Sequence, residues 1–421
     1  MTLGFVREFF LSAARQGPLA KAAQAWARGE SLRLGGLTPA AQLLAAAQLQ
    51  RLAQRPLILL VRDNRAAEEA RDTLTTFVDL TAATEAASQE QRPVVLPSFE
   101  IDPYEGLSPH PAILEQRAFA LWRMGEGLQF LIVPVVAAAA KLPAPGHARS
   151  WARRLRRGDL LDLEGVAEQL VLIGYQRAEP VEMPGQFSIR GGLLDVFSPE
   201  SAQPVRVELF GDEIESLREF DPSTQRSVQP LEQILLLPLT PMPLTAELRA
   251  QLGDAPPPGW EYRAAALQGF SHSVFDHLEG ALVLTSEPEA VSAELERWWL
   301  RLRQRYAAAP EAAPAPEALF FTPEQFQAQL AARPRIEARE LEIDELDLEA
   351  DRLELGLAPA AAPAAFRRVA MGSRPAARFQ GAVARLMEEV RAQLDQGQRL
   401  FFLGANAGEV ERLGDLFTEY N

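Results

Sequence analysis

Apolar positions along the chain fall into two kinds of pattern, and the change between them divides it. In the first 140 residues, short continuous apolar runs alternate with longer stretches of helical periodicity. Leu32-Arg33-Leu34 ends in Gly35-Gly36 and predicts a short strand. Thr38 followed by Pro39 is a favourable helix start, because the hydroxyl caps a free N–H and proline has none to leave unpaired. The helix predicted there covers residues 40–55. Residues 56–61 read as a buried parallel strand, residues 66–77 as a helix, and residues 93–96 and 129–136 as two further strands. Strands alternating with helices predict a parallel sheet with helices on its faces.

A second block begins near residue 128, and from residue 187 its pattern changes. A helix is predicted over 160–173, stopped by Gly174. Short strands with tight turns follow at 187–190, 193–197, 205–210 and 213–218, and Gly211-Asp212 joins the last two as a hairpin. This is a small α+β unit. From residue 229 onward apolar strands and helices return, with a buried strand at 281–284 and helices at 287–306 and 323–333. Residues 307–316 and 357–365 are Ala/Pro-rich and predict extended linkers, and residues 340–354 are an acidic run read as a solvated face. The tail predicts helix (379–396), strand (399–403) and helix (409–420). One such unit cannot close a core, so the chain is expected to be part of something longer.

Composition narrows the function. At roughly 100–200 residues per domain, 421 residues give two to four domains, and 47% hydrophobic residues suffice for real cores. No stretch of about 18 uncharged apolar residues spans a membrane, and the first ten residues lack the pattern of a signal peptide. Cysteine is absent, which excludes disulfides and thiol chemistry and fits the reducing cytoplasm. The net charge of -15 argues against a large nucleic-acid surface, because gripping duplex DNA takes clustered cations.

The strand–glycine–helix around Gly35, Gly36 and Thr38 sits where a nucleotide-binding fold keeps its phosphate loop. A working loop needs a lysine for the terminal phosphates, and the chain's two lysines, Lys21 and Lys141, lie elsewhere. ATP hydrolysis there is not expected. His272 and His277 are five apart, whereas helical ligand pairs prefer four. His110 lies in a Pro-rich loop. No catalytic set and no metal site can be nominated. The informative strand is 205–210, where alternation puts Val205, Val207 and Leu209 on one face and Arg206, Glu208 and Phe210 on the other. Arginine, carboxylate and aromatic in a row suit a protein-binding hot spot; they equally suit a cross-strand ion pair with Phe210 under a loop. In 187–190, Phe187 and Ile189 are expected inward, and Ser188 and Arg190 outward.

Residues 185–197, beginning Gly185-Gln186-Phe187 and running through Arg190-Gly191-Gly192 to Asp195-Val196-Phe197, then 205–210, 212–218, Phe220-Asp221 and 224–227, resemble the UvrA-binding region shared by UvrB and the bacterial transcription-repair coupling factors, the Mfd family. Residues 96–100, 103–105, 108–110 and 131–135 resemble the coupling factors more than UvrB. The resemblance implies an α/β fold in which residues 1–127 and 222–342 form a degenerate, P-loop NTPase-like (UvrB-like) domain. Residues 128–221 would be an inserted small α+β domain, and 343–421 a linker and the start of a third α/β domain. It further implies recruitment of UvrA to RNA polymerase stalled at DNA damage, with Arg190, Arg206 and Phe210 at UvrA-contacting positions and Glu208 orienting an arginine. The chain itself would need no cofactor. ATP and Mg, and contacts to RNA polymerase and DNA, would belong to parts beyond residue 421. Residues 238–243 depart from the family's Pro-x-x-Glu element, lacking its acid. The competing readings are an active UvrB-type helicase subunit and a nucleotide sensor that binds without hydrolysis.

Overall fold

The continuous apolar runs become the inner strands of one parallel sheet. The computed structural model describes residues 4–199, 201–340, 366–371, 373, 383–400, 402 and 407–419. Leu57–Val61 and Phe130–Pro134 are buried along their whole length and pair with each other, and Leu282–Ser286 flanks Leu57–Val61 on its other side. The full order is Arg367–Ala370, Leu32–Gly35, Arg335–Ala338, Leu282–Ser286, Leu57–Val61, Phe130–Pro134 and Val94–Val95, every pair parallel. A strand covered on both faces needs no alternation of polarity. Successive side chains still go to opposite sides. Leu57 and Leu59 lie in the core shared with Pro18–Ala27, Pro39–Ala53 and Asn64–Thr81, while Ile58 and Leu60 lie in the core shared with Pro111–Glu126, Pro288–Tyr306 and Pro323–Ala331. Each leucine so buried contributes about 1.5–3 kcal/mol.

The chain leaves this sheet after Pro134 and returns to it at Leu282. Between them lies the insert. Its six strands run in the order Ser227–Leu231, Glu213–Phe220, Val205–Phe210, Leu193–Val196, Gln186–Arg190 and Gln176–Arg177. All pairs are antiparallel except the last. Arg153–Arg156 pairs with Gln233–Leu236, which ties the start of the unit to its end. Helix Leu163–Leu172 closes one face, burying Val166, Ala167 and Leu170 against Phe187, Leu194, Val207 and Leu217.

Three boundaries differ from the sequence-based expectation. The insert does not begin at 128, because Phe130–Pro134 is an inner strand of the parallel sheet; five consecutive apolar residues bury both faces only there. Nor does it end at 221, since Ser227–Leu231 and Gln233–Leu236 pair within the insert. Ser227–Leu231 contains Pro230 and is an edge strand, where a missing N–H is tolerated. In the tail, Arg367–Ala370 joins the parallel sheet beside Leu32–Gly35 and so belongs to the first unit. The second compact unit spans Arg374–Asn421 and contains helices Val383–Asp395 and Ala407–Glu419. The acidic run beyond Glu340 and the Ala/Pro stretch at 357–365 lie outside the described residues, as does part of the strand expected at 399–403; its residues 399, 400 and 402 are not in a strand.

Candidate functional site

The insert's sheet has one face against its helix and one face outward, and the register places the site residues in rows. Ser188, Asp195, Arg206 and Arg218 are cross-strand partners in one row; Arg190, Leu193, Glu208 and Ser216 form the next; Phe210 and Glu213 end the sheet. The predicted alternation holds: Val205 and Val207 are buried, Arg206 and Glu208 are half-buried, and Phe210 is 80% exposed. Two tight turns shape the face. Gly211, at φ 64°, makes the hairpin after Phe210, and Gly191, at φ 59°, makes the one after Arg190; an L side chain is strained at both. Gly192 has a second reason to be glycine, since a Cβ there would lie 3.2 Å from the Leu209 carbonyl oxygen.

The two arginines converge on one carboxylate. Asp195, 2% exposed, accepts from Arg206 Nε at 2.7 Å and Nη2 at 2.8 Å, and from Arg190 Nη2 at 3.0 Å. Bidentate charge-assisted bonds of this kind fix the plane of a guanidinium. Arg206 also lies over the Phe220 ring, 4.8 Å from its centroid. The hydrogen bond to Asp195 raises the Arg206 pKa further above its ordinary value. Arg190 reaches Glu179 at 3.4 Å and remains more open than Arg206. Two guanidinium groups thus share Asp195 and Glu179, and Arg190 Nε and Arg206 Nη1 are left without a hydrogen bond among the described residues.

Glu208, expected to orient an arginine, lies beside Arg218 and not beside the two arginines that meet at Asp195. It accepts from Ser216 Oγ at 2.5 Å and faces Arg218 at 3.7 Å, so it orients neither Arg190 nor Arg206. The residue that does is Asp195, which sequence reasoning missed. A carboxylate inside the apolar run Leu193–Val196 was the available signal. Ser188, expected outward, does face that way but is buried, because it sits in the row with Asp195 and Arg206.

In the Gly36–Thr38 turn, read from the sequence as a degenerate phosphate loop, two backbone donors are already used. Gly36 has φ 72° and turns the chain. The Leu37 N–H bonds the Arg339 carbonyl at 3.0 Å, the Thr38 N–H bonds Ser373 Oγ at 2.9 Å, and the Thr38 hydroxyl accepts from the Ala41 N–H at 3.4 Å. Gln42 donates to the Leu37 carbonyl at 3.1 Å and to Glu287 at 2.6 Å. His110 caps Pro111–Glu126 by accepting from the Ala112 N–H at 3.3 Å. His277 lies 2.9 Å from the Pro143 carbonyl. Among the described residues no cluster of three metal-ligating side chains occurs, and no described helix is long and apolar enough to cross a membrane. In residues 238–243, Leu239 seals the insert: its N–H bonds the Ile173 carbonyl at 2.8 Å, and its side chain lies where Gly174 and Gly185 leave room.

Residues 154–241 match the family model described as the UvrB interaction domain, which coincides closely with the insert from Arg153 to Leu236. The chain is also similar to proteins named transcription-repair-coupling factor. It is 36% identical over 240 residues to that of Myxococcus xanthus, covering 56% of this chain and 20% of the relative. It is 32% identical over 218 residues to that of Escherichia coli (strain K12), covering 51% and 18%, and 30% identical over 211 residues to that of Haemophilus influenzae, covering 50% and 18%. The matched stretch therefore spans about a fifth of the curated relatives' length.

Proposed function

From a UvrB interaction domain set in a chain related to the transcription-repair-coupling factors, we propose that this chain is the module that recruits UvrA in transcription-coupled nucleotide excision repair. The observation that carries the reading is the outer face of the insert. It combines a bare aromatic at the sheet's end with an arginine pair fixed in place by Asp195. Preorganised cations and a large exposed ring are what a protein interface needs, because little side-chain freedom is lost on binding. Phe210 is the anchor that becomes buried. Arg190 and Arg206 offer their remaining donors to carboxylates of UvrA, and Asp195, not Glu208, holds them.

In this reading the parallel-sheet domain is a degenerate UvrB-like, P-loop NTPase-like scaffold, and the chain is no enzyme by itself. ATP and Mg serve the motor of the parent protein, a DNA translocase, and RNA polymerase and DNA are contacted through that parent's other domains.

Titrating UvrA with the chain in a calorimeter tests the reading. The wild type binds. The double variant Arg206→Ala/Phe210→Ala, shown folded by circular dichroism, loses binding by at least the ~2–4 kcal/mol typical of one anchor. Absence of binding by the folded wild type would sink the proposal.

A further inference from the structure

The exposed face continues past Phe210 onto a segment outside the sheet's regular strands. Residues 158–161 run alongside the start of Glu213–Phe220, on the side opposite Val205–Phe210. Three backbone bonds hold them there: Gly158 N–H to the Ile214 carbonyl at 2.9 Å, Ile214 N–H to the Asp159 carbonyl at 2.9 Å, and Leu161 N–H to the Asp212 carbonyl at 2.7 Å. Asp159 Oδ2 also accepts from the Arg156 N–H at 2.8 Å, closing the turn that precedes them. Leu161 points into the core and is 2% exposed, so its neighbour Leu160 is driven outward and is 77% exposed. Glu213 is thus the cross-strand partner of Phe210 on one side and of Leu160 on the other. Cross-strand partners project from the same face, and each strand step is about 4.8 Å, so the two apolar side chains stand roughly 10 Å apart. Glu213 is exposed between them and, among the described residues, makes no ion pair.

A lone exposed leucine is unremarkable. Here it is fixed by its backbone in one row with the most exposed phenylalanine of the insert, and it has no freedom to fold away. We propose that Phe210, Glu213 and Leu160 form one contact row, which extends the UvrA-binding site of the preceding reading and rests on it. The partner surface that fits brings two apolar contacts about 10 Å apart with a lysine or arginine between them. On the arginine side of Phe210 it brings carboxylates for Arg190 and Arg206. Leu160 is then a second anchor, and Glu213 sets the sign of charge accepted between the two.

The test is the UvrA titration with Leu160→Ala, Glu213→Lys and Phe210→Ala in the full chain, each checked by circular dichroism; all three positions are exposed, so folding is retained. Leu160→Ala is expected to weaken binding about tenfold and Glu213→Lys about thirtyfold or more, as for a second anchor and a reversed contact charge. If either variant binds like the wild type while Phe210→Ala binds poorly, the row is overturned and the recruitment reading stands. If the wild type does not bind, both fall together.

Discussion

Two places on this chain hold arginines, carboxylates and strand ends close together, and they differ in how much of their polar and apolar surface is left open. Around Gly36 and Thr38, at the carboxyl edge of the parallel sheet, the polar groups turn on one another: loop N–H groups go to Arg339 and Ser373, and Gln42 goes to Leu37 and Glu287. On the outer face of the insert, Asp195 satisfies part of two guanidinium groups and leaves the rest open, and Phe210 and Leu160 have no cover. A nucleotide phosphate needs backbone donors that are free, whereas a protein partner needs anchors that are fixed and bare. The difference lies less in which residue types are present than in which of their donors and surfaces are already occupied.

The sharpest way to break this comparison is Asp195→Ala. Removing the shared carboxylate leaves two arginines facing each other. Breaking a buried pair costs about 3–5 kcal/mol, and because both arginines reach solvent we expect roughly 2 kcal/mol less stability, read from the urea midpoint, together with weaker UvrA binding. Phe210→Ala is the contrasting control and leaves the midpoint nearly unchanged. Equal midpoints for Asp195→Ala and wild type would show that the pair is not held as described.

A smaller effect concerns acid. Burial holds His147 and His277 below the usual histidine range, so the unfolded chain takes up protons before the folded one does. Their contribution is fully present above the unfolded value near 6.5 and is lost as pH falls below it. His147 Nε2 accepts from the Trp151 indole N–H at 3.3 Å, a bond protonation removes. Melting is expected at a lower temperature at about pH 5.5 than at about pH 7.5, and the double variant His147→Gln/His277→Gln should flatten that slope. A slope unchanged in the variant would place the acid response elsewhere.

The smallest expected effect is none. With the Leu37 and Thr38 N–H groups engaged, magnesium ATP should not raise the melting temperature of the chain, whereas a ligand at a hundred times its dissociation constant would stabilise by about 2.7 kcal/mol. A clear nucleotide-dependent rise would erase the contrast between the two regions.

Much of the framework was legible from local pattern. The buried strands expected at 56–61 and 281–284, the Thr38 cap and the in–out order of Val205–Phe210 follow from periodicity and capping chemistry, and the structure has them, with the strands at Leu57–Val61 and Leu282–Ser286. What escaped was pairing. Asp195 meets Arg206 across a hairpin, and Leu160 meets Glu213 from 53 residues away. Register across strands is not written in either strand alone.

The sequence by itself determined that a parallel, helix-covered sheet is interrupted by a small hairpin-rich unit, and that the Gly35–Thr38 turn carries no lysine. Runs of apolar residues and turn glycines act over a few positions, so they can be read one segment at a time. Only the tertiary structure decided where the insert starts and stops, which carboxylate holds the arginine pair, and that residues 339 and 373 close the Gly36 loop. Those outcomes depend on contacts between segments tens to hundreds of residues apart, whose energies arise only when the whole chain has folded.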